Sequence, residues 1–209
     1  MQLDPSELSS RDVYSWLVRL ITPRPIAWVS TMSTDGVANL APFSFFNGVG
    51  ANPPTIMFCP ANRRDGTPKD TLANIQRSGQ FVVNLVTESV AESMNLTSAE
   101  FEPDVDEFEM AAIDKLESTR VSPPRVAASA AAFECELLQA IVLGTGPAGA
   151  NLVIGRIVTM HVDDALLDEQ GNFDAARFNT IGRMGGDEYV RTSDRFSIPR
   201  PQRPAPKSP

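Results

Sequence analysis

Residues 144–162 read GTGPAGANLVIGRIVTMHV, and how this stretch folds decides what kind of protein the chain is. Its first six residues, Gly144 to Gly149, satisfy G-x-G-x-x-G, the glycine turn of a dinucleotide-binding fold. Asp163 and Asp164 stand near the ~20-residue offset at which such a fold places its ribose acid. That motif needs a helix to open at the glycines, because the helix N-terminus supplies the N–H groups that hold a pyrophosphate. Residues 151–162 are instead β-branched, apolar and interrupted by Gly155, which is the signature of a strand. The two acids come after this same strand and do not end a second strand beyond a helix. The glycine stretch therefore reads as the bend between two long antiparallel strands, residues 133–143 and 152–162, and the doubly wound alternative falls away.

Short apolar runs recur through the rest of the chain. Residues 26–32 (IAWVSTM) are rich in strand formers, Asp35-Gly36 is a tight-turn pair, and residues 37–41 return, which predicts a β-hairpin. Residues 55–59 (TIMFC) and 81–86 (FVVNLV) suit central strands. Between them a helix is expected to open with Thr67 as N-cap, Pro68 at the first helical position and Asp70 three residues after the cap. Leu72 and Ile75 supply its buried face, and Ser78-Gly79 ends it. A second helix is expected after Thr87, with Val90, Met94 and Leu96 inward. A short third one is expected to be capped by Asp104 and to carry Phe108, Ala112 and Leu116. Residues 88–117 hold ten acidic side chains against Lys115 alone and read as a solvated face. Residues 172–186 close the fold with a short helix or loop. The fold class is mostly β with peripheral helices (α+β), a small antiparallel β-barrel.

The 209 residues, 42% apolar and 21% charged, suit a single domain over residues 1–198. Residues 199–209 read as a Pro-rich, extended and mobile tail, too polar to offset its ordering entropy. No run approaches the ~18 apolar residues of a membrane span. Residues 1–10 carry Asp4 and Glu7 and no apolar stretch, so a secretory signal is not expected and a cytoplasmic protein is. A net charge of −8 makes nucleic acid and acidic membrane surfaces poor partners. Cys59 and Cys135 have no metal spacing and His161 is the only histidine, so no metal site or histidine triad is expected. Both thiols and His161 read as structural side chains.

Two clusters carry chemistry. Arg63 and Arg64 precede the helix expected at Thr67, and Lys69 and Thr71 sit in its first turn, where unpaired N–H groups and a partial positive charge attract an anion. This reads equally as a phosphate cradle or as a capped surface helix with solvating arginines. Residues 39–47 (NLAPFSFFN) interleave three phenylalanines with small and amide residues. They suit a core segment, or a slot with apolar faces and edge hydrogen bonds for a flat heteroaromatic ligand.

Ten segments in this order resemble the flavin reductase-like family: PRPIAWVST (23–31), DGVANLAPFSFFN (35–47), NPP (52–54), KDT (69–71), FVVNL (81–85), MNLTS (94–98), DEFE (106–109), SPPRV (122–126), FECEL (133–137) and GRMGGDEY (182–189). The resemblance implies an FMN-binding split β-barrel, a homodimer, and a reductase passing a hydride from NADH or NADPH to FMN, with a partner monooxygenase as a destination for reduced flavin. It places Ala41, Pro42, Phe43, Ser44 and Phe45 along the isoalloxazine. Lys69, Asp70 and Thr71, with Arg63, fall at the phosphate, and Thr31, Asn47, Asn84 and Asn95 are further contacts. Arg24 or Arg195 would supply positive charge near the flavin. No catalytic side chain is assigned, because the cofactor carries the chemistry. Gly50 stands where the family often has serine, and residues 127–130 (AASA) replace an acidic residue and proline, which bears on the donor or substrate. An FMN-binding electron carrier or sensor, and a flavin-dependent oxygenase or reductase acting on an organic small-molecule substrate, are the alternatives.

Overall fold

The computed structural model describes residues 1–201, so the tail expected over 199–209 lies largely outside the described residues. Helix α1 (Ser10–Leu20) leads into strands β1 (Ala27–Met32), β2 (Ala38–Phe43), β3 (Phe46–Ala51) and β4 (Pro54–Phe58). Then come α2 (Asp70–Ser78), β5 (Gln80–Leu85), α3 (Ala91–Leu96), α4 (Glu107–Met110) and the short β6 (Lys115–Leu116) and β7 (Arg125–Val126). The long β8 (Ala131–Val142) and β9 (Asn151–Val162) are next, and β10 (Ile181–Arg183) and β11 (Tyr189–Arg191) form a final hairpin. The glycine stretch is the bend between β8 and β9, which pair antiparallel from Ala131↔Val162 to Val142↔Asn151.

Seven strands pair in the order β2-β1-β5-β8-β9-β4-β3, every neighbour antiparallel. Strands β2 and β3 are the two edges of this sheet, yet only Ser44 and Phe45 separate them in the chain. Such a link spans about 11 Å at most. The sheet must therefore curl until its edges meet at that link, where the Cys59 N–H donates to the Phe45 carbonyl at 2.9 Å. The result is a barrel split along the β2–β3 seam.

Strand β1 is buried on both faces, and its alternation separates two cores. Ala27 and Val29 join Phe43, Phe58, Phe81 and, from α2, Leu72 and Ile75. Ile26 and Trp28 join Leu40, Met94 and Phe108 beneath α3 and α4. The Trp28 indole N–H donates to Thr97 Oγ1 at 2.8 Å, which ties down the end of α3.

Several expected boundaries shift. Thr67 does not cap α2, because its hydroxyl is taken by Asp65 Oδ1 at 2.6 Å; the N-cap is Lys69. Gly79 ends α2 in the left-handed conformation, as expected. Val90 and Met94 are buried, whereas Leu96 is exposed. Asp106, not Asp104, caps α4 through the Phe108 N–H at 3.0 Å, and Ala112 and Leu116 lie past that helix and are exposed. The acidic stretch is solvated except for half-buried Asp106 and buried Glu107. Residues 175–177 form one 3-10 turn before β10.

His161 is structural: its Nε2 lies 2.6 Å from Oε1 of Glu134, a fully buried carboxylate. Burial alone would raise the Glu134 carboxyl. The Thr119 and Arg120 N–H groups, His161 and the Thr119 hydroxyl outweigh that and hold it at about 2. Burial raises the thiols of Cys59 and Cys135.

Gly155 is where β9 passes the Phe81 ring: a Cβ there would lie 2.3 Å from Phe81 Cζ. Gly155→Ala should cost about 1–3 kcal/mol through overpacking. A thermal melt should show a midpoint lowered by several degrees, and an unchanged midpoint would contradict this packing.

Candidate functional site

The start of α2 is open. At α1, Ser9 Oγ accepts from the Asp12 N–H at 3.1 Å, the usual side-chain cap. At α2 the N-cap is Lys69, which offers no acceptor. Among the described residues no acceptor meets the N–H groups of Asp70, Thr71 or Leu72. Lys69 itself is half-buried and in no ion pair among the described residues, while Arg63 is held against the helix start by an ion pair with Asp70. The loop bearing Arg63 is braced from behind by the 144–150 bend: Asn62 Nδ2 donates to the Gly146 carbonyl at 3.1 Å, and Asn151 Nδ2 donates to Asn62 Oδ1 at 2.8 Å. A Cβ at Gly149 would lie 2.4 Å from the Gly144 carbonyl oxygen, so this bend needs glycine to close.

A recess at this helix start is lined by Arg63, Lys69, Asp70, Thr71, Ala41 and Glu107. A cleft of about 230 Å³ adjoins it, with Pro42, Lys69 and Ser98 as shared wall. Ser44, Tyr14, Asn95, Arg183 and Tyr189 complete much of the cleft. Its described lining contains two cations, Lys69 and Arg183, and no carboxylate, in a chain of net charge −8.

The cleft is assembled around Arg24, which is 4% exposed. One terminal nitrogen donates to the carbonyls of Val18 (2.6 Å) and Ile21 (2.7 Å) at the C-terminal end of α1. The other donates to the Met184 carbonyl at 2.8 Å, and Nε reaches Ser44 Oγ at 3.3 Å. The guanidinium lies 5.9 Å from the centre of the Phe45 ring, whose other neighbour is Tyr14 at 6.2 Å. Burial is the main cause lowering the Arg24 pKa.

Glu107 closes the edge strand β2. Its Oε2 accepts from the Leu40 N–H at 2.9 Å, and two residues on Pro42 has no N–H to offer. Burial, and then the nearby charges of Asp70 and Asp106, outweigh that hydrogen bond and push its carboxyl up to about 7.

The structure thus brings together Ala41, Pro42, Ser44, Arg63, Lys69, Asp70, Thr71 and Asn95, with Phe45 behind Tyr14. It places the other expected residues elsewhere. Thr31 is fully buried and accepts from Asn74 Nδ2 at 3.1 Å. Asn84 is fully buried between the Trp28 carbonyl (3.0 Å) and the Val126 N–H (2.9 Å). Phe43 packs into the barrel core, and Asn47 lines a separate apolar cavity of about 440 Å³. Arg195 is tied to the carbonyls of Thr192, Ala175 and Phe178, outside the cleft lining. Sequence reasoning missed Glu107, Tyr14, Arg183 and Tyr189 as site residues. The Ser9–Asp12 capping pair was the available signal for the helix that carries Tyr14.

A family model described as "Flavin reductase like domain" matches residues 18–182. Component B of nitrilotriacetate monooxygenase from Bacillus cereus is 36% identical over 95% of this chain and 98% of its own, with a TM-score of 0.89. The 2-nitrobenzoate 2-nitroreductase NbaA of Pseudomonas fluorescens is 33% identical over 99% and 100%, with a TM-score of 0.87. A split-barrel-domain protein from Shewanella frigidimarina is 25% identical over 96% and 100%, with a TM-score of 0.80.

Glu107 gives the stability a pH dependence. A carboxyl raised from 4.5 to about 7 by folding stabilises the fold while protonated, fully so below the unfolded value, and that contribution is lost as pH rises through 7. It amounts to about 3 kcal/mol. Thermal melts should show the wild-type midpoint falling between about pH 4.5 and about pH 7 and levelling above that, with Glu107→Gln lacking this component. Superimposable pH profiles would contradict it.

Proposed function

The chain belongs to the flavin reductase-like family, and from that premise we propose that it binds FMN in this cleft and reduces it with NADH or NADPH. The observation that carries the reading is the uncapped start of α2, where among the described residues three N–H groups and the neighbouring lysine have no partner. The donor set suits a phosphate: backbone N–H groups aligned with the helix dipole, the Lys69 ammonium, and the hydroxyl of Thr71, which accepts from Asn39 and keeps its own proton to donate. Arg63, steadied by Asp70, stands at the rim. Along the wall of Ala41, Pro42 and Ser44, a small apolar face with the Ser44 hydroxyl at its margin suits an isoalloxazine.

The flavin supplies hydride acceptance from a reduced nicotinamide; the chain's part is to bind, orient and exclude water. Thr31 and Asn84 act as scaffold in this reading. Arg24 sets a fixed positive charge behind Ser44 and favours negative charge in the cleft. The kinship with a monooxygenase component supports delivery of reduced flavin to a partner oxygenase. The kinship with a nitroreductase favours a second reading, direct reduction of an organic substrate in the same cleft. We also infer a homodimer, because Leu138, Val142, Met160 and Val162 expose apolar side chains on the long β8–β9 pair.

Fluorescence quenching should show FMN binding more tightly than riboflavin, which lacks the phosphate. Lys69→Gln should weaken FMN about tenfold or more while leaving riboflavin within about threefold, as loss of a charge-assisted contact does. Equal loss for both ligands would move the phosphate away from α2. Anaerobic addition of NADH or NADPH should bleach the bound flavin, and bands that stay oxidised with both would remove the reductase activity.

A further inference from the structure

The end of the cleft away from α2 is built by three residues just outside the matched 18–182: α1 brings Tyr14, and the β10–β11 hairpin brings Arg183 and Tyr189. Arg183 is a half-buried guanidinium with no carboxylate partner among the described residues, although Asp187 and Glu188 stand in the same hairpin. One terminal nitrogen donates to the Gly186 carbonyl at 2.6 Å, and the guanidinium lies 4.5 Å from the centre of the Tyr189 ring. The other N–H donors of a five-donor fork are left for a ligand.

The position is built rather than incidental. The Arg183 backbone is bridged in both directions to Arg24, Arg24 N–H to Arg183 carbonyl at 3.0 Å and the reverse at 2.8 Å. Two guanidiniums are thereby held as neighbours with no carboxylate partner among the described residues; burial disfavours protonated Arg24 most, Tyr14 opposes that, and Arg183 adds to it. An anion in the cleft relieves that repulsion. Tyr189 is steadied by its hydroxyl donating to Asn95 Oδ1 at 3.3 Å, and Tyr14 stands with Phe45 behind it. Aromatic faces beside a free planar cation suit a flat molecule with an anionic group.

We propose that Arg183, with Tyr14 and Tyr189, forms a second anion-binding end of the cleft that recognises a planar aromatic molecule bearing a carboxylate or a phosphate. This rests on the flavin reading of the other end: Lys69 holds the cofactor phosphate, and Arg183 holds the molecule that meets the flavin. Both an aromatic carboxylate and a phosphate-bearing pyridine nucleotide carry this chemistry.

The test uses the FMN-loaded protein, Arg183→Gln and Arg183→Lys. Benzoate and its neutral isostere benzamide are titrated against the flavin visible spectrum, and the KM for NADH is measured. If carboxylates are the ligand, Arg183→Gln weakens benzoate about tenfold or more and leaves benzamide within about twofold, with partial recovery in Arg183→Lys. If the nucleotide is the ligand, the KM for NADH rises by a similar factor. FMN quenching stays within about threefold of wild type in either case. Unchanged benzoate affinity and unchanged KM overturn the proposal, as does loss of FMN affinity matching that of Lys69→Gln. If wild type holds no FMN, the flavin reading fails instead. Calorimetry of benzoate with the flavin-free wild type and Arg183→Gln then decides this proposal on the same tenfold criterion.

Discussion

A guanidinium taken almost wholly out of water costs several kcal/mol unless its donors are met. Arg24 meets that cost without any carboxylate, through three main-chain carbonyls and one hydroxyl. Two of the carbonyls lie at the C-terminal end of α1, where the helix dipole concentrates negative charge and favours a cation. The third belongs to the final hairpin, and the hydroxyl to the link between β2 and β3. One side chain therefore joins the two ends of the described chain to the seam of the barrel.

That junction makes the site possible. The barrel alone supplies β2, with its wall from Ala41 to Ser44, and α2 with its open N-terminus. Strand order and the two-residue link force β2 to the seam, where Glu107 and Pro42 keep its edge from pairing with another strand. Without α1 and the hairpin this wall would face solvent on its far side. With them it becomes a cleft carrying cations at both ends, Lys69 and Arg183, on a chain that is acidic overall.

Much of this was readable in the sequence. The β1–β2 hairpin, the central strands and the bend at 144–150 arise from local turn chemistry and β-branched runs, which tertiary context did not override. The cationic start of α2 was visible as a cluster, although a competing turn bond from Thr67 to Asp65 moved the cap to Lys69. Strand β3 was not visible, because Gly48 and Gly50 and an exposed edge position give it little strand signature. Helix α1 went unread although its apolar side chains recur with helical period and Ser9 caps it; only Val18 is buried, because much of its apolar face stays exposed. Glu107 looked like one solvated acid among ten; its burial depends on a partner 67 residues away, the N–H of Leu40. Arg24 and Arg195 were equal candidates for a charge near the cleft, and only long-range bonding to carbonyls separates them.

If Arg24 fastens α1 and the final hairpin to the barrel and so builds the cleft, its loss must loosen those two segments before anything else. Hydrogen–deuterium exchange on wild type and Arg24→Met reads this directly. Exchange should quicken in residues 10–21 and 183–191, with the amides of β5, β8 and β9 still protected, because local opening leaves the barrel core intact. Protection unchanged in both end segments, or lost uniformly through the barrel, would contradict it.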